Sequence, residues 1–210
     1  GYGLWFAPYM SNNYGGWSSI VPTHSLVEAY ETKNGLTTDE DPTFDPSNPY
    51  VNRDPRLRAT IIYPGQTYGI YEAEGFPSVI KGSGDYATDA NNATHTGYNF
   101  KKFYSDLSEY ESYWGTDRNF PLLRYAEVLL NWIEAKAELG AVTQDDLDKS
   151  VNQLRRRPLD ATAEAKGIKN TPDMILTDIT ADFDPARDPD VSPILWEIRR
   201  ERRMEFVYEY

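Results

Sequence analysis

The sequence predicts a mainly α protein with long irregular loops and a few short strands, and three observations carry that prediction. Leu122, Leu123, Ala126, Leu129, Leu130, Ile133, Ala137 and Leu139 recur at spacings of three and four, laying an apolar stripe along Asn119–Gly140. A second helical stretch, Gln144–Arg157, follows after a short turn. The pair makes an αα-hairpin, the unit that tetratricopeptide-type (TPR-type) solenoids stack. Upstream, Gly65, Gly69, Gly75, Gly82, Gly84 and Gly97 cut the chain into pieces too short for regular structure.

Taken in order, Gly1 to Trp17 sets Tyr2, Trp5, Phe6, Tyr9, Tyr14 and Trp17 among glycines and asparagines with no helical period, so it reads as loop with one short strand. Trp5 and Phe6 run on from Leu4 and read as core. Tyr14 and Trp17, flanked by Asn12, Asn13, Gly15 and Gly16, read as exposed, with ligand binding and loop packing both open. Pro22–Glu31 is a short helix with Leu26, Val27 and Tyr30 as its buried side and Gly35 past its end. Asp39–Asn52 is a proline-rich loop. The alternation Leu57, Ala59, Ile61, Tyr63 predicts a strand. Just before it, Asp54 reads as the cap of a tight turn ahead of Pro55, and Arg53 and Arg56 as partners of acidic neighbours, not as a phosphate cradle.

Pro64–Asp117 is the least regular stretch, and loops of that length inside a domain are usually functional. Tyr68, Tyr71, Tyr86, Tyr98, Tyr104, Tyr110, Tyr113 and Trp114 are spread through it, with a short strand expected at Tyr98–Phe103. Rings in glycine-rich loops beside amides and carboxylates suit sugar recognition, since a ring stacks on the C–H face of a sugar while polar groups bridge its hydroxyls. Pinning of the loops to the helical body is the plain alternative.

The central helix is expected over Pro121–Leu139. Its first turn tolerates the missing N–H of Pro121, and Gly140 closes it in a left-handed conformation. Thr143 caps the next helix, Asp145 and Asp146 sit in its positive first turn, and Pro158 stops it. Ala161–Asp190 is a long loop whose Asp178, Asp182, Asp184 and Asp188 lack the glycine and glutamate of a calcium loop, so no metal site is predicted. The last helix runs from Pro193 to Tyr210, with Glu197–Arg200 and Arg202–Glu205 as ion pairs one turn apart.

Composition narrows the function. With 33 acidic residues against 21 basic ones, the net charge of −12 argues against sequence-independent nucleic-acid binding. There is no cysteine, hence no disulfide and no thiolate zinc site. The 16 tyrosines and 5 tryptophans exceed what a core needs and suit a stacking surface. The histidines are His24 and His95, and no H-E-x-x-H, G-x-S-x-G or phosphate-loop pattern occurs. A glycosidase needs only two carboxylates, but no spacing here points to a pair.

Five stretches together resemble the SusD/RagB family: Arg124-Tyr125-Ala126-Glu127-Val128-Leu129-Leu130 with Glu134-Ala135 and Val151-Asn152-Gln153-Leu154-Arg155; Leu26-Val27-Glu28-Ala29-Tyr30-Glu31; Asn52-Arg53-Asp54-Pro55-Arg56; Thr96-Gly97-Tyr98; and Ile198-Arg199-Arg200-Glu201-Arg202-Arg203-Met204-Glu205. The resemblance implies a SusD-like fold and, for residues 1–210, a single domain that is a C-terminal portion of a longer protein. Residues 1–117 would be its loop-rich ligand-binding part and 118–210 its helical part. It also implies a non-catalytic, surface-exposed outer-membrane lipoprotein of Bacteroidetes, its anchor outside this chain. Such a protein captures oligosaccharides for a SusC-like TonB-dependent transporter and takes no cofactor. RagB-like members bind peptides instead, and a glycoside hydrolase is the more distant alternative. The expected stacking residues are Trp17, Tyr14, Tyr68, Tyr71, Tyr113 and Trp114, with Trp17 and Trp114 foremost because each adjoins a glycine. The expected partner for the helical hairpin is the missing N-terminal half of the same protein, or a second copy.

Overall fold

A computed structural model describes residues 8–12, 16–67, 85–86, 92–102 and 121–209. Within them the chain forms two units, Gly1–Val27 with Arg58–Phe120 and Glu28–Leu57 with Pro121–Tyr210. Helices α1 (His24–Ala29) and α2 (Pro55–Thr60) carry the chain between them.

In the first unit, residues 8–11 and 16–20 run back along each other through backbone hydrogen bonds from Gly16 to Ser11, Ser18 to Met10 and Ile20 to Pro8, each 3.0 Å. Strand β1 (Ile61–Ile62) pairs antiparallel with β2 (Asn99–Phe100), Ile61 opposite Phe100 and Ile62 opposite Asn99. All four residues are buried, Asn99 among three apolar neighbours, so the ladder is an interior one and not a half-exposed strand. The strand expected from Leu57 is therefore mostly helix. Pro55 stands at the first helical position, and the Asp54 carboxylate accepts from the Arg56 amide at 2.8 Å. These start signals override an alternation of only four positions.

The second unit holds α3 (Tyr125–Glu138), α4 (Gln144–Asp148), α5 (Val151–Arg155), α6 (Ala161–Ala165), a 3-10 turn at Leu176–Asp178 and α7 (Pro193–Glu205). The inner face of α3 buries Ala126, Leu129, Leu130, Ile133 and Ala137 in one cluster with Leu147, Val151, Leu154, Met174, Leu195 and Ile198. Helix α3 packs on α7 and α5. Gly140 has φ +64° and closes α3 as expected. The helix starts later than its apolar stripe, since Arg124 stays extended at φ −122°, ψ 154°. Thr143 caps α4 in a full capping box with Asp146. The single helix expected over Gln144–Arg157 is broken at Ser150, whose hydroxyl donates to the Asp146 carbonyl at 2.6 Å while its backbone leaves helical geometry. Helix α7 begins at Pro193 and ends at Glu205, short of Tyr210, where Phe206 leaves the helix beneath the guanidiniums of Arg124 and Arg202.

Candidate functional site

Of the six expected stacking rings, Trp17 is described and half-buried. Tyr14, Tyr68, Tyr71, Tyr113 and Trp114 lie outside the described residues. The returning segment that carries Trp17 is held tightly. Ser18, at φ +43°, donates from both its amide and its hydroxyl to the Met10 carbonyl. A Cβ at Gly16 would stand 2.4 Å from Met10 Cβ, so this glycine serves the close approach of two backbones. The room it makes is filled by Met10. Further along the same unit, the Tyr98 hydroxyl meets His24 Nδ1 at 3.1 Å with the two rings stacked, and Thr96 donates to the Pro22 carbonyl at 2.7 Å.

The second unit contains a cluster that local spacing could not reveal. Glu197, Glu201 and Glu205 recur every four residues on α7, and all three are buried. Glu201 accepts from Arg56 at 2.5 Å on one oxygen and from Arg155 at 2.8 Å on the other. Arg155 continues to Glu31 at 2.9 Å and to the Pro172 carbonyl at 2.9 Å. Arg56 turns back to Asp54 at 2.7 Å, and Thr171 donates to the same Asp54 oxygen at 2.8 Å. Glu205 is shared by Arg124 at 2.8 Å and by Arg157, while Arg124 forks onto Glu209 at 2.6 and 2.8 Å.

The reading of Asp54 as a turn cap with Arg56 paired to acids holds. Arg53 donates to the carbonyls of Pro49 and Tyr30. Glu197–Arg200 is present at 3.0 Å. Arg202, however, reaches Asn131 at 2.6 Å, and Glu205 faces inward to the arginines of other segments.

The titration of these groups follows from their partners. Burial alone would raise Asp54, but the Arg56 charge and the hydrogen bonds from Arg56 and Thr171 outweigh it and hold the carboxyl at about 2. Burial pushes Glu197 up to about 8, because Arg200 only partly compensates and Glu31 and Asp184 repel it. Burial raises Glu31 as well. A carboxyl near 8 is the usual mark of a general acid. Glu197 nevertheless lies in the interior, against the charges of the network, and structural ion-pair clusters perturb acids in the same way.

Asp184 joins this interior by accepting from Trp196 Nε1 at 2.5 Å and from Arg200, so one of the four loop aspartates has a structural post. Among the described residues no group of acids or histidines could hold a metal ion.

A cavity of about 540 Å³ lies beside the C-terminal end of α3 and the start of α7, lined by Ala137, Val142, Leu176, Val191, Ile194 and Leu195 with Glu138, Asp190 and Arg199. It contains no aromatic ring on which a sugar could stack. Among the described residues, no helix is long and apolar enough to cross a membrane.

Solved structures place this arrangement. A SusD-like carbohydrate-binding protein from Bacteroides fragilis is 29% identical, with a TM-score of 0.69, and the match covers 99% of this chain and 37% of that one. A second SusD-like protein from the same organism is 26% identical with a TM-score of 0.59, covering 92% of this chain and 35% of its own. The chain thus spans little more than a third of the length of these relatives. No curated protein matches it. The SusD family profile matches residues 1–210, and the fold agrees with that of the SusD-like structures: the chain belongs to the SusD family.

Proposed function

We propose that this protein is the cell-surface glycan-binding component of a SusC/SusD-type uptake system, capturing oligosaccharides for a TonB-dependent outer-membrane transporter without catalysing a reaction. The observation that carries the reading is the likeness, over nearly the whole of this chain, to a SusD-like carbohydrate-binding protein. The aromatic surplus supports it, since 16 tyrosines and 5 tryptophans supply flat, amphipathic faces for sugar rings. The stacking surface is assigned to Trp17, Tyr14, Tyr68, Tyr71, Tyr113 and Trp114, and the protein sits at the outer membrane as a lipoprotein.

The test is a glycan panel run against the full-length protein by affinity electrophoresis, with a peptide library in parallel and a reducing-end assay for hydrolysis. Retardation by at least one polysaccharide, with no new reducing ends, is the expected result. Binding to peptides alone would replace the glycan reading with a RagB-like one, and release of reducing ends would replace it with a hydrolase. With a binding glycan in hand, Trp17→Ala is expected to weaken affinity by about 1–3 kcal/mol, roughly 5- to 150-fold, with the far-UV spectrum unchanged. Unchanged retardation would remove Trp17 from the site.

A further inference from the structure

The chain holds a single Asn-Gly step, Asn34-Gly35, and the fold places it in an exposed turn of the second unit. An asparagine amide can be displaced by the next backbone nitrogen, and a following glycine lacks the Cβ that would shield the attack. The Gly35 amide donates to the Thr32 carbonyl at 3.0 Å, the Thr32 amide donates to the Leu36 carbonyl at 2.8 Å, and Gly35 stands at φ +73°. The Asn34 side chain is tied down as well. Its Nδ2 donates to Asp41 Oδ2 at 3.0 Å and to Thr43 Oγ1 at 3.1 Å. Asp41 is buried, and its carboxylate also accepts from the Thr32 hydroxyl at 2.5 Å and from the Thr43 amide and hydroxyl at 2.8 and 2.7 Å. The turn lies over the ionic cluster, since a Cβ at Gly35 would stand 3.8 Å from Arg155 Nη1 and 3.9 Å from Glu31 Oε2.

We propose that Asn34 is a site of spontaneous deamidation that the Asp41–Thr43 clamp holds in check, so that conversion proceeds only when this turn opens. In the reaction the Gly35 nitrogen gives up its proton to water, attacks Asn34 Cγ and forms a C–N bond, and the side-chain amide leaves as ammonia. Water then opens the cyclic imide at either carbonyl, leaving aspartate or isoaspartate at this position. Water is consumed, ammonia is released, and nothing is oxidised or reduced. The closed turn resists both parts of the attack. Thr32 engages the N–H of the nucleophile, and the Asn34 side chain is anchored beside Asp41. Either product, once made, destabilises the turn. Aspartate replaces a donor to Asp41 with a second carboxylate, and isoaspartate lengthens the backbone between Thr32 and Leu36, whose pairing it spoils. Asn34 is thereby a one-way record of how often this edge of the ionic cluster has opened, whatever ligand the protein binds.

Peptide mapping by mass spectrometry tests it, on the full-length protein stored at mildly alkaline pH with and without urea. Asn34 is expected to convert slowly in the folded protein and several-fold faster in urea, with isoaspartate among the products. Thr43→Ala, which removes one arm of the clamp, is expected to convert several-fold faster than the folded parent, and Thr43→Ser, which keeps the hydroxyl, at the parent rate. Asn34→Asp, the aspartate product made directly, is expected to lower the urea midpoint more than Asn34→Ala, because it adds a charge as well as removing the donor. No conversion of Asn34 in urea overturns the site. Conversion of folded parent and Thr43→Ala at equal rates, or of both serine and alanine variants at the same raised rate, overturns the clamp. A midpoint for Asn34→Asp no lower than that of Asn34→Ala overturns the repulsion assigned to the aspartate product.

Discussion

Two sets of buried residues on α7 reach the interior by opposite chemistry. One set, Leu195 and Ile198, enters the apolar cluster on α3. In the other, Glu201 and Glu205 meet arginines drawn from distant segments and Glu197 meets Arg200 one turn on. The apolar set gains free energy from area removed from water and tolerates any neighbour of the right size. The carboxylate set gains little net energy once desolvation is counted, but each oxygen accepts only from a donor at one distance and direction. The comparison teaches that the apolar set supplies cohesion and the ionic set fixes which segment lies where.

Breaking the ionic set should have the largest effect. Arg155→Met leaves Glu31 buried without its main partner, and a loss of about 3–5 kcal/mol is expected in urea unfolding at neutral pH. Ile198→Ala, in the apolar cluster on the same helix, is expected to cost about 3 kcal/mol through the cavity it leaves. The two losses should differ in their pH dependence. The Arg155→Met deficit should shrink in mild acid as Glu31 takes a proton, and the Ile198→Ala deficit should stay constant. Equal and pH-independent losses would mean the network is wet enough to relax.

Glu197 sharpens the contrast further. Its carboxyl moves from an ordinary 4.5 when unfolded to about 8 when folded, so between those values the folded chain keeps a proton that the unfolded chain has released. Stability therefore falls as pH rises from about 4.5 to about 8. Asp54 and Asp41, held at about 2, work at the other end: their contribution is present above 3.8 and is lost as pH falls towards 2. Maximum stability is expected in mild acid. Glu197→Gln, a neutral isostere, should flatten the decline between about pH 5 and pH 8, read as the shift in urea midpoint. An unchanged slope would place the titration elsewhere.

The smallest effect should come from the solvent side of the same helix. Arg199 is half-exposed and bridges Glu134 at 3.1 Å and Glu138 at 2.6 Å. Arg199→Ala is expected to cost less than about 1 kcal/mol, and added salt should remove most of that difference.

Much of this fold could be read from local pattern, for reasons visible in particular residues. The stripe from Ala126 to Ala137, the capping box at Thr143 and the closing Gly140 are short-range signals, and the structure reproduces each. At α2 the alternation of four residues predicts a strand, but it is a weaker signal than the Asp54-Pro55 start that precedes it. The ionic cluster was invisible as a cluster, since Arg56 and Glu201 stand 145 residues apart and no local spacing relates them. The every-fourth-residue glutamates of α7 were its one legible trace. Glu31, Arg56, Arg124, Arg155, Glu201 and Glu205 each belong to a segment that carries the family resemblance, but the resemblance does not say that they meet. Those segments specify the fold. Of the rings proposed for stacking, Trp17 alone lies among the described residues.

The position of α7 late in the chain has a consequence for biosynthesis. Arg56, Arg124 and Arg155 leave the ribosome well before Glu201 and Glu205, the carboxylates that neutralise them in the folded interior. Until residue 205 has been made, that side of the second unit closes at a cost, because Arg56 and Arg155 have only the earlier Asp54 and Glu31 as carboxylate partners and Arg124 lacks Glu205. Its final assembly is thereby timed to the completion of α7, and a product cut short before Pro193 would keep these segments open to chaperones and proteases.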